Sequence, residues 1–345
     1  MSLDYLPETV DVFGWLADRT GCGTIRMMQP LDALTEATGR TIAYDEKLKT
    51  KGFMPKVLVG QRVCKDGPTN LWQHLASRDE RPKLVYELDD DLWNVDIANP
   101  AAFQWFINGY DRITGQTHNV QENIAANIYA ADRVTVTTEA LATLVRKYND
   151  NVVIVPNYLP EWILDWQRPR NEKLTIGWMG SATHAMDWDQ AAEPVSRFLR
   201  RNPEVGFHLM GGDYSRDLKL DPTQTKFTPW VDGVENVWRA IDFDIALAPL
   251  RPHVFNQSKS NLKALEAAAL GIPIVASDCG PYPTFVEHGV TGFLVKRDHE
   301  WGKYLRALVN DEDMRREMGN SAKLKATEWT LEGHIDEWAK ALMEW

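Results

Sequence analysis

Apolar and β-branched residues fall in short runs separated by longer stretches of helical period. In the first half the runs Val10–Leu16, Lys56–Val63, Lys83–Asp90, Arg133–Thr138 and Val152–Pro156 predict strands. Ile25–Ala37 and the long Ala101–Ala130 carry helical spacing between them. A stretch broken by Pro156, Pro160 and Pro169 follows, and Asn157–Lys173 is expected to link two domains. The alternation then restarts, with strands predicted at Leu174–Met179, Gly206–Met210, Phe243–Ala248, Ile272–Ala276 and Gly292–Val295, and helices between them and at the C-terminus. Nearly continuous apolar strands alternating with helices imply parallel sheets covered on both faces. The fold class is therefore α/β. Two unrelated domains would satisfy the pattern. So would a matched pair facing a cleft, which brings two sets of strand carboxyl ends, the ligand-binding edges of open sheets, around one site.

Composition narrows the function classes. The 345 residues suit two domains, and the formal net charge is -11. That acidity, spread over both halves, excludes a protein that coats nucleic acid or anionic membrane by bulk charge. No apolar run reaches the ~20 residues of a membrane span. MSLDYLPETVDVFGW has no basic start followed by an apolar stretch, so no signal peptide is expected. Cys22, Cys64 and Cys279 form neither a metal-ligand spacing nor a disulfide framework, which fits a reducing cytoplasm.

Four segments carry candidate chemistry. In FNQSKSNLKALEAAALGIPIVAS, Ser258 or Ser260 can cap a helix that Gly271 and Pro273 end. Lys259, Lys263 and Glu266 then share one face, and Leu262, Leu265 and Ala269 a neighbouring face that packs on the sheet. A helix start with two lysines suits a diphosphate, and Glu266 could accept hydrogen bonds from ribose. The alternative is a solvated Lys–Glu face. The second segment is Gly180–His184, GSATH, after a strand. Gly180 permits close backbone approach, and Ser181, Thr183 and His184 offer donors; a plain βα turn would look alike. The third is GCGTIRMM, where Gly21 and Gly23 precede Arg26 on the next helix, again suited to an anion. The fourth is LVYELDDDLW. Asp89, Asp90 and Asp91 end a strand and could hold a divalent cation, act as a base, accept from sugar hydroxyls or simply cap a helix.

Phe255–Val295, together with ADRVTVTTEALA, VVIVPN and IGWMGSATH, resembles a GT-B glycosyltransferase of family four, of the type found in actinobacteria and phages. The resemblance is specific in the C-terminal half and loose in the first 80 residues. It implies two Rossmann-like domains facing a cleft: an acceptor-binding domain at 1–160 and a nucleotide-sugar domain at 161–328. Residues 329–345 would return as a helix to the first domain. It implies transfer of a sugar from a nucleotide-diphosphate sugar to an acceptor hydroxyl, with retention and without an essential cofactor or metal. Glu266 matches the second of the family's two glutamates, which contacts the ribose, whereas the first is replaced by Ser258. Lys259 and Lys263 match basic residues near the diphosphate, assisted by the backbone of Ser260 and Asn261, and Gly180–His184 matches the phosphate-facing loop. Asp90 or Asp91 would bind the acceptor hydroxyl or steady the oxocarbenium-like centre, with Gly23, Arg26 and Asp89 nearby. The rival readings are a metal-dependent transferase using Asp89–Asp91 and a non-catalytic nucleotide-sugar binding protein.

The acceptor side is open to a glycan, a lipid or a protein. It is also open to a hydroxymethylated pyrimidine in phage DNA, because Arg40–Lys65 holds seven basic residues against Asp45 and Glu46. A flipped base could stack on Trp72, Trp93 or Trp105. The expected location is the cytoplasm, that of the host if the chain is phage-encoded.

Overall fold

The computed structural model describes residues 10–48, 54–96, 98–99, 109–110, 117–214 and 218–345. The chain divides into two compact units. One comprises Met1–Tyr158, Ser258–Ser260 and Leu331–Trp345, and the other Leu159–Gln257 and Asn261–Thr330.

The first unit is built on β1 (Val12–Trp15), β2 (Ile42–Asp45), β3 (Val57–Gln61) and β4 (Lys83–Leu88). A short antiparallel pair, β5 (Gly109–Tyr110) with β6 (Thr117–His118), follows, and then β7 (Arg133–Val136) and β8 (Val152–Ile154). Its six-stranded sheet is parallel throughout and runs β2-β1-β3-β4-β7-β8. The second unit holds β9 (Thr175–Gly180), β10 (Gly206–Gly211), β11 (Thr225–Pro229), β12 (Ile245–Ala248), β13 (Ile274–Ser277) and β14 (Gly292–Val295). They form a second parallel sheet in the order β11-β10-β9-β12-β13-β14. Each unit is thus a doubly wound Rossmann-like domain. The strand order reverses between β1 and β3 in one and between β9 and β12 in the other, which is where such sheets leave a crevice for ligands.

The ten strands expected from apolar runs all form, and two more join them. Both additions, β2 and β11, lie at a sheet edge and are only partly buried, so their sequences lack the apolar continuity of the central strands. The long helix expected over Ala101–Ala130 is corrected. The β5–β6 pair interrupts it, and the described helix is Val120–Ala130; residues 101–108 and 111–116 lie outside the described residues. Nor is Asn157–Lys173 a loose linker. Leu159 and Ile163 are buried, Trp162–Asp165 is a helical turn, and Leu159 bridges to Thr330.

Six tryptophans (Trp72, Trp178, Trp188, Trp238, Trp301 and Trp338) are among the largest fully buried side chains. The C-terminal segment joins the first unit through one of them, Trp338, and through polar caps. Trp338 lies under the Arg26 guanidinium at 4.8 Å, Tyr158 stacks on His334 at 4.2 Å, and the Tyr158 hydroxyl donates to Glu337. Arg133 Nη1 donates to the carbonyls of Lys340, Ala341 and Glu344, satisfying the last turn of the terminal helix.

Candidate functional site

In the second unit, β9 delivers its last residue, Gly180, to the point of strand-order reversal. A side chain there would collide with the Trp178 ring, whose Cζ2 would lie 2.6 Å from the added Cβ, so the glycine is required by packing as much as by ligand approach. The Gly180 carbonyl accepts from Gly212 at 2.8 Å. Ser181 and Thr183 share a hydroxyl hydrogen bond of 2.6 Å at the surface. His184 Nδ1 meets Asp187 Oδ2 at 2.9 Å. The other Asp187 oxygen accepts from the Arg251 backbone at 3.0 Å and from Asn256 Nδ2 at 2.8 Å. One buried carboxylate therefore ties the loop after β9 to the loop after β12. Asp187 was not among the expected site residues, because a lone aspartate early in a helix carries no pattern. The neighbouring Trp230 was missed too. It is 50% exposed at the end of β11, and its ring would lie 3.5 Å from a Cβ added at Gly211.

The lysine-bearing helix starts later than expected. It is Leu262–Ala269 with Asn261 at its cap position, so neither Ser258 nor Ser260 caps it and Lys259 is not on its face. Lys263 and Glu266 remain on the helix and line a small, mostly apolar hollow with Met179, Ile241, Phe243, Ala246, Leu247, Ala267 and Ile272. Glu266 Oε1 accepts from the indole of buried Trp238 at 2.8 Å. Burial raises the Glu266 carboxyl above its ordinary value, while the Trp238 hydrogen bond and the Lys263 charge oppose the rise.

Ser258–Ser260 group with the first unit. The buried Ser258 gives its carbonyl to Thr138 Oγ1 at 2.9 Å, and Ser260 Oγ accepts from Asn157 at 2.8 Å. Between them, Lys259 Nζ sits 3.7 Å from Asp90 Oδ1. Asp90 Oδ2 is also 3.7 Å from Arg62, and Arg62 Nη2 lies 2.5 Å from Asp89 Oδ1. Burial raises the Asp90 carboxyl against the pull of Lys259; Asp89 is buried as well, but the Arg62 charge, hydrogen bonds from Cys22 and Arg62 and the Arg26 charge together lower it. Arg62 adopts a left-handed φ of 47°, uncommon for a side chain of this size, directly after β3 and beside the β1/β3 reversal.

Three expectations about this end of the sheet are corrected. Arg26 is not an anion ligand. It is 1% exposed, pairs with buried Glu87 at 2.8 Å and donates to the Val155 carbonyl and Asn157 Oδ1. Its position follows from a π-helical turn, Thr24–Met28, that turns it inward; Gly23 precedes this turn because a Cβ would strike the Asp18 carbonyl. Asp91 does not face a substrate. Fully buried, it accepts from Trp93 N and Asn94 Nδ2 and holds its own turn. With Asp89 and Asp90 held by Arg62, the three aspartates present no common ligand face for a cation, and the metal-dependent reading loses its donor set. Among the described basic residues of the Arg40–Lys65 stretch, the Arg62 side chain is withdrawn to Asp89, whereas Arg40, Lys47, Lys56 and Lys65 are exposed, Arg40 and Lys56 beside Asp11; Lys49 and Lys51 lie outside the described residues. Trp72 is core and Trp93 stacks on Tyr148, so neither stands ready for a flipped base; Trp105 lies outside the described residues.

Residues 173–311 match the family model described as glycosyl transferases group 1. A D-inositol 3-phosphate glycosyltransferase of Nocardia farcinica is 42% identical over 90 residues, 24% of this chain and 20% of the relative. An uncharacterized glycosyltransferase of Haemophilus influenzae is 25% identical over 224 residues, 61% of each chain. The chain spans about a fifth of the length of the first of these curated relatives. Among solved structures, sucrose-phosphate synthase from Thermosynechococcus elongatus superposes with a TM-score of 0.65 at 13% identity, covering 95% of this chain and 97% of that one. The Anabaena protein HepE in complex with UDP-glucose gives 0.62 at 14%, covering 96% and 99%. These likenesses give the fold, GT-B. Among the described residues no helix is long and apolar enough to cross a membrane.

Proposed function

We propose that this chain, a member of the group 1 glycosyl transferases through residues 173–311, moves a sugar from a nucleotide-diphosphate sugar to an acceptor hydroxyl. The observation that carries the reading is that Met179, the residue just before the Gly180–His184 loop, lines one hollow with Lys263 and Glu266, all within that matched region. The loop and the start of helix Leu262–Ala269 supply N–H groups and positive charge for a diphosphate, and Glu266 suits ribose hydroxyls. Trp230 offers an aromatic face for the base. The Anabaena protein of the same fold is a UDP-glucose complex, which favours UDP-sugars as first probes.

Transfer breaks the bond between the sugar C1 and the β-phosphate oxygen and joins C1 to the acceptor oxygen. The acceptor's proton passes to the departing phosphate on the same face of the sugar, so the transfer is retaining and needs no strong protein base, and the two lysines take the place of a metal ion at the diphosphate. Lys259 and Lys263 stabilise the charge that grows on the leaving diphosphate. Asp90, held between Arg62 and Lys259, steadies the positive charge that develops at the sugar's C1. The acceptor is a hydroxyl of a glycan, lipid or protein. DNA is the lesser reading: Arg62 is withdrawn into its pair with Asp89, and neither Trp72, in the core, nor Trp93, stacked on Tyr148, stands free for a flipped base.

A thermal-shift screen of nucleotide sugars tests the donor. A ligand at 100 times its dissociation constant adds about 2.7 kcal/mol of stability. No shift with any nucleotide sugar overturns the reading, and full transfer in excess EDTA is the expected result for the metal-independent step. A chain that binds the donor but neither hydrolyses nor transfers it is a binding protein instead.

A further inference from the structure

A buried carboxylate that recognises a ligand must be fixed in orientation before the ligand arrives, or binding has to order it. Resting on the donor reading above, we propose that Trp238 is a positioning residue for the donor's ribose. Its indole N–H holds Glu266 Oε1 and thereby leaves Oε2 to the ribose hydroxyls.

Trp238 lies on helix Val234–Ala240 and is fully buried, and its Nε1 reaches Glu266 Oε1 at 2.8 Å across 28 positions of sequence. Its ring packs against Trp162 at 5.9 Å. The adjacent Arg239 places its guanidinium 4.5 Å from the Trp162 ring and 4.6 Å from that of Trp166, fixing the helix on that side. The indole is thus immobile where it meets the carboxylate.

A structural role alone does not require this pairing. Elsewhere in the molecule the buried indole of Trp72 is satisfied by a backbone carbonyl, that of Asn127, at no cost in buried charge. At Trp238 the partner is instead a carboxylate set in a mostly apolar wall beside Lys263, where an uncharged side chain would serve stability as well or better. A buried acid with one oxygen tethered at the edge of a hollow that opens to solvent is what recognition of a diol needs.

The test is calorimetric binding of UDP and of 2′-deoxy-UDP to the full chain, unaltered and as Trp238→Phe, which keeps an aromatic ring and removes the N–H. The unaltered chain is expected to prefer UDP by about tenfold. In Trp238→Phe that ratio falls toward one, while 2′-deoxy-UDP affinity stays within about twofold. Glu266→Gln should lower the ratio too. If Trp238→Phe weakens both nucleotides equally and keeps the ratio, Trp238 is structural and the proposal is overturned. Should that variant not fold, benzothienylalanine at 238, which keeps the two-ring shape without the N–H, is read by the same ratio. If the unaltered chain binds neither UDP nor the GDP and ADP pairs tested alongside, the donor reading itself has failed, an outcome distinct from an unchanged ratio in the variant.

Discussion

The two sheets end in differently built sites. At the β1/β3 reversal the first unit gathers full charges: Arg62 holds Asp89 and Asp90, Lys259 approaches Asp90 from its other side, and the Arg26–Glu87 pair is buried one layer below. At the β9/β12 reversal the second unit relies on backbone groups, neutral donors and one anchoring acid, Asp187, with Glu266 tethered by an indole. A site of compensated charges holds its shape through strong pairs but leaves few ligands unspent. A site of backbone and neutral donors stays open to an anion. On the proposed function, the second unit's loop and Lys263 meet the diphosphate, while the first unit brings Asp90 and, with it, Lys259.

The charged layer of the first unit gives the largest expected effect. Arg26→Met leaves Glu87 buried without its partner and should cost about 3–5 kcal/mol in urea denaturation. Burial already pushes Glu87 up to about 7, against the pull of Arg26. A carboxyl raised in the folded state destabilises as pH rises through that value, so the cost should be smaller at pH 5 than at pH 8. The double variant Arg26→Met with Glu87→Leu should recover most of it, and a loss below about 1 kcal/mol in the single variant would show that the pair is not the anchor of this layer. Next in size, Lys259→Ala should slow sugar transfer by about 10²–10³-fold with the fold intact, the scale of removing one group that meets developing charge. An unchanged rate sinks the assignment of Lys259 to the diphosphate.

These pairs also show where the sequence could be read and where it could not. Central strands announce themselves because both faces are buried, so β3, β9 and β12 stand out as apolar runs. Edge strands β2 and β11 keep polar residues on their open sides and look like loops. The GSATH loop and the Lys263–Glu266 spacing were legible because neighbours in sequence are neighbours in space. Arg26 was misread for the opposite reason. Its partner Glu87 lies 61 positions away, and a one-residue π-helical insertion decides which way it points. Arg62 was counted as surface charge because nothing local reports a left-handed φ or a contact 27 positions on. Long-range pairing of charge is invisible to periodicity, and the first unit's site is made of it.

The second unit carries a charge cluster of its own, and it makes the comparison sharper. Asp242 accepts from His208 Nδ1 at 2.5 Å and from Lys226 Nζ at 2.5 Å. Burial pushes its carboxyl up, but these two partners prevail and hold it at about 2 against an ordinary 3.8. A depressed carboxylate contributes stability above its unfolded value and loses it as pH falls toward 2, so Asp242→Asn should cost about 2 kcal/mol near neutrality and nothing near pH 2. The imidazole side of the cluster is fully buried, and the acid lies just before β12, away from the strand carboxyl ends; transfer should proceed unchanged at temperatures where the variant stays folded. A selective loss of transfer would extend the second unit's site inward.

The smallest expected effect concerns the exposed aromatics. Trp230 is 50% exposed at the carboxyl end of β11, beside Gly211 and one strand from the Gly180 loop, whereas Tyr129 of the first unit is 79% exposed on helix Val120–Ala130. Exposure alone would favour Tyr129 as a ligand-binding ring. Position favours Trp230, because ligands of open parallel sheets collect at strand carboxyl ends. Loss of one offset-stacked ring should weaken UDP binding by about tenfold, or about 1.4 kcal/mol, in Trp230→Ala, and Tyr129→Ala should leave it unchanged. Equal effects in the two variants, or none in Trp230→Ala, would mean that the base lies elsewhere. The contrast between the units would then rest on the diphosphate alone, on Lys263 and the turn from Gly180 to His184.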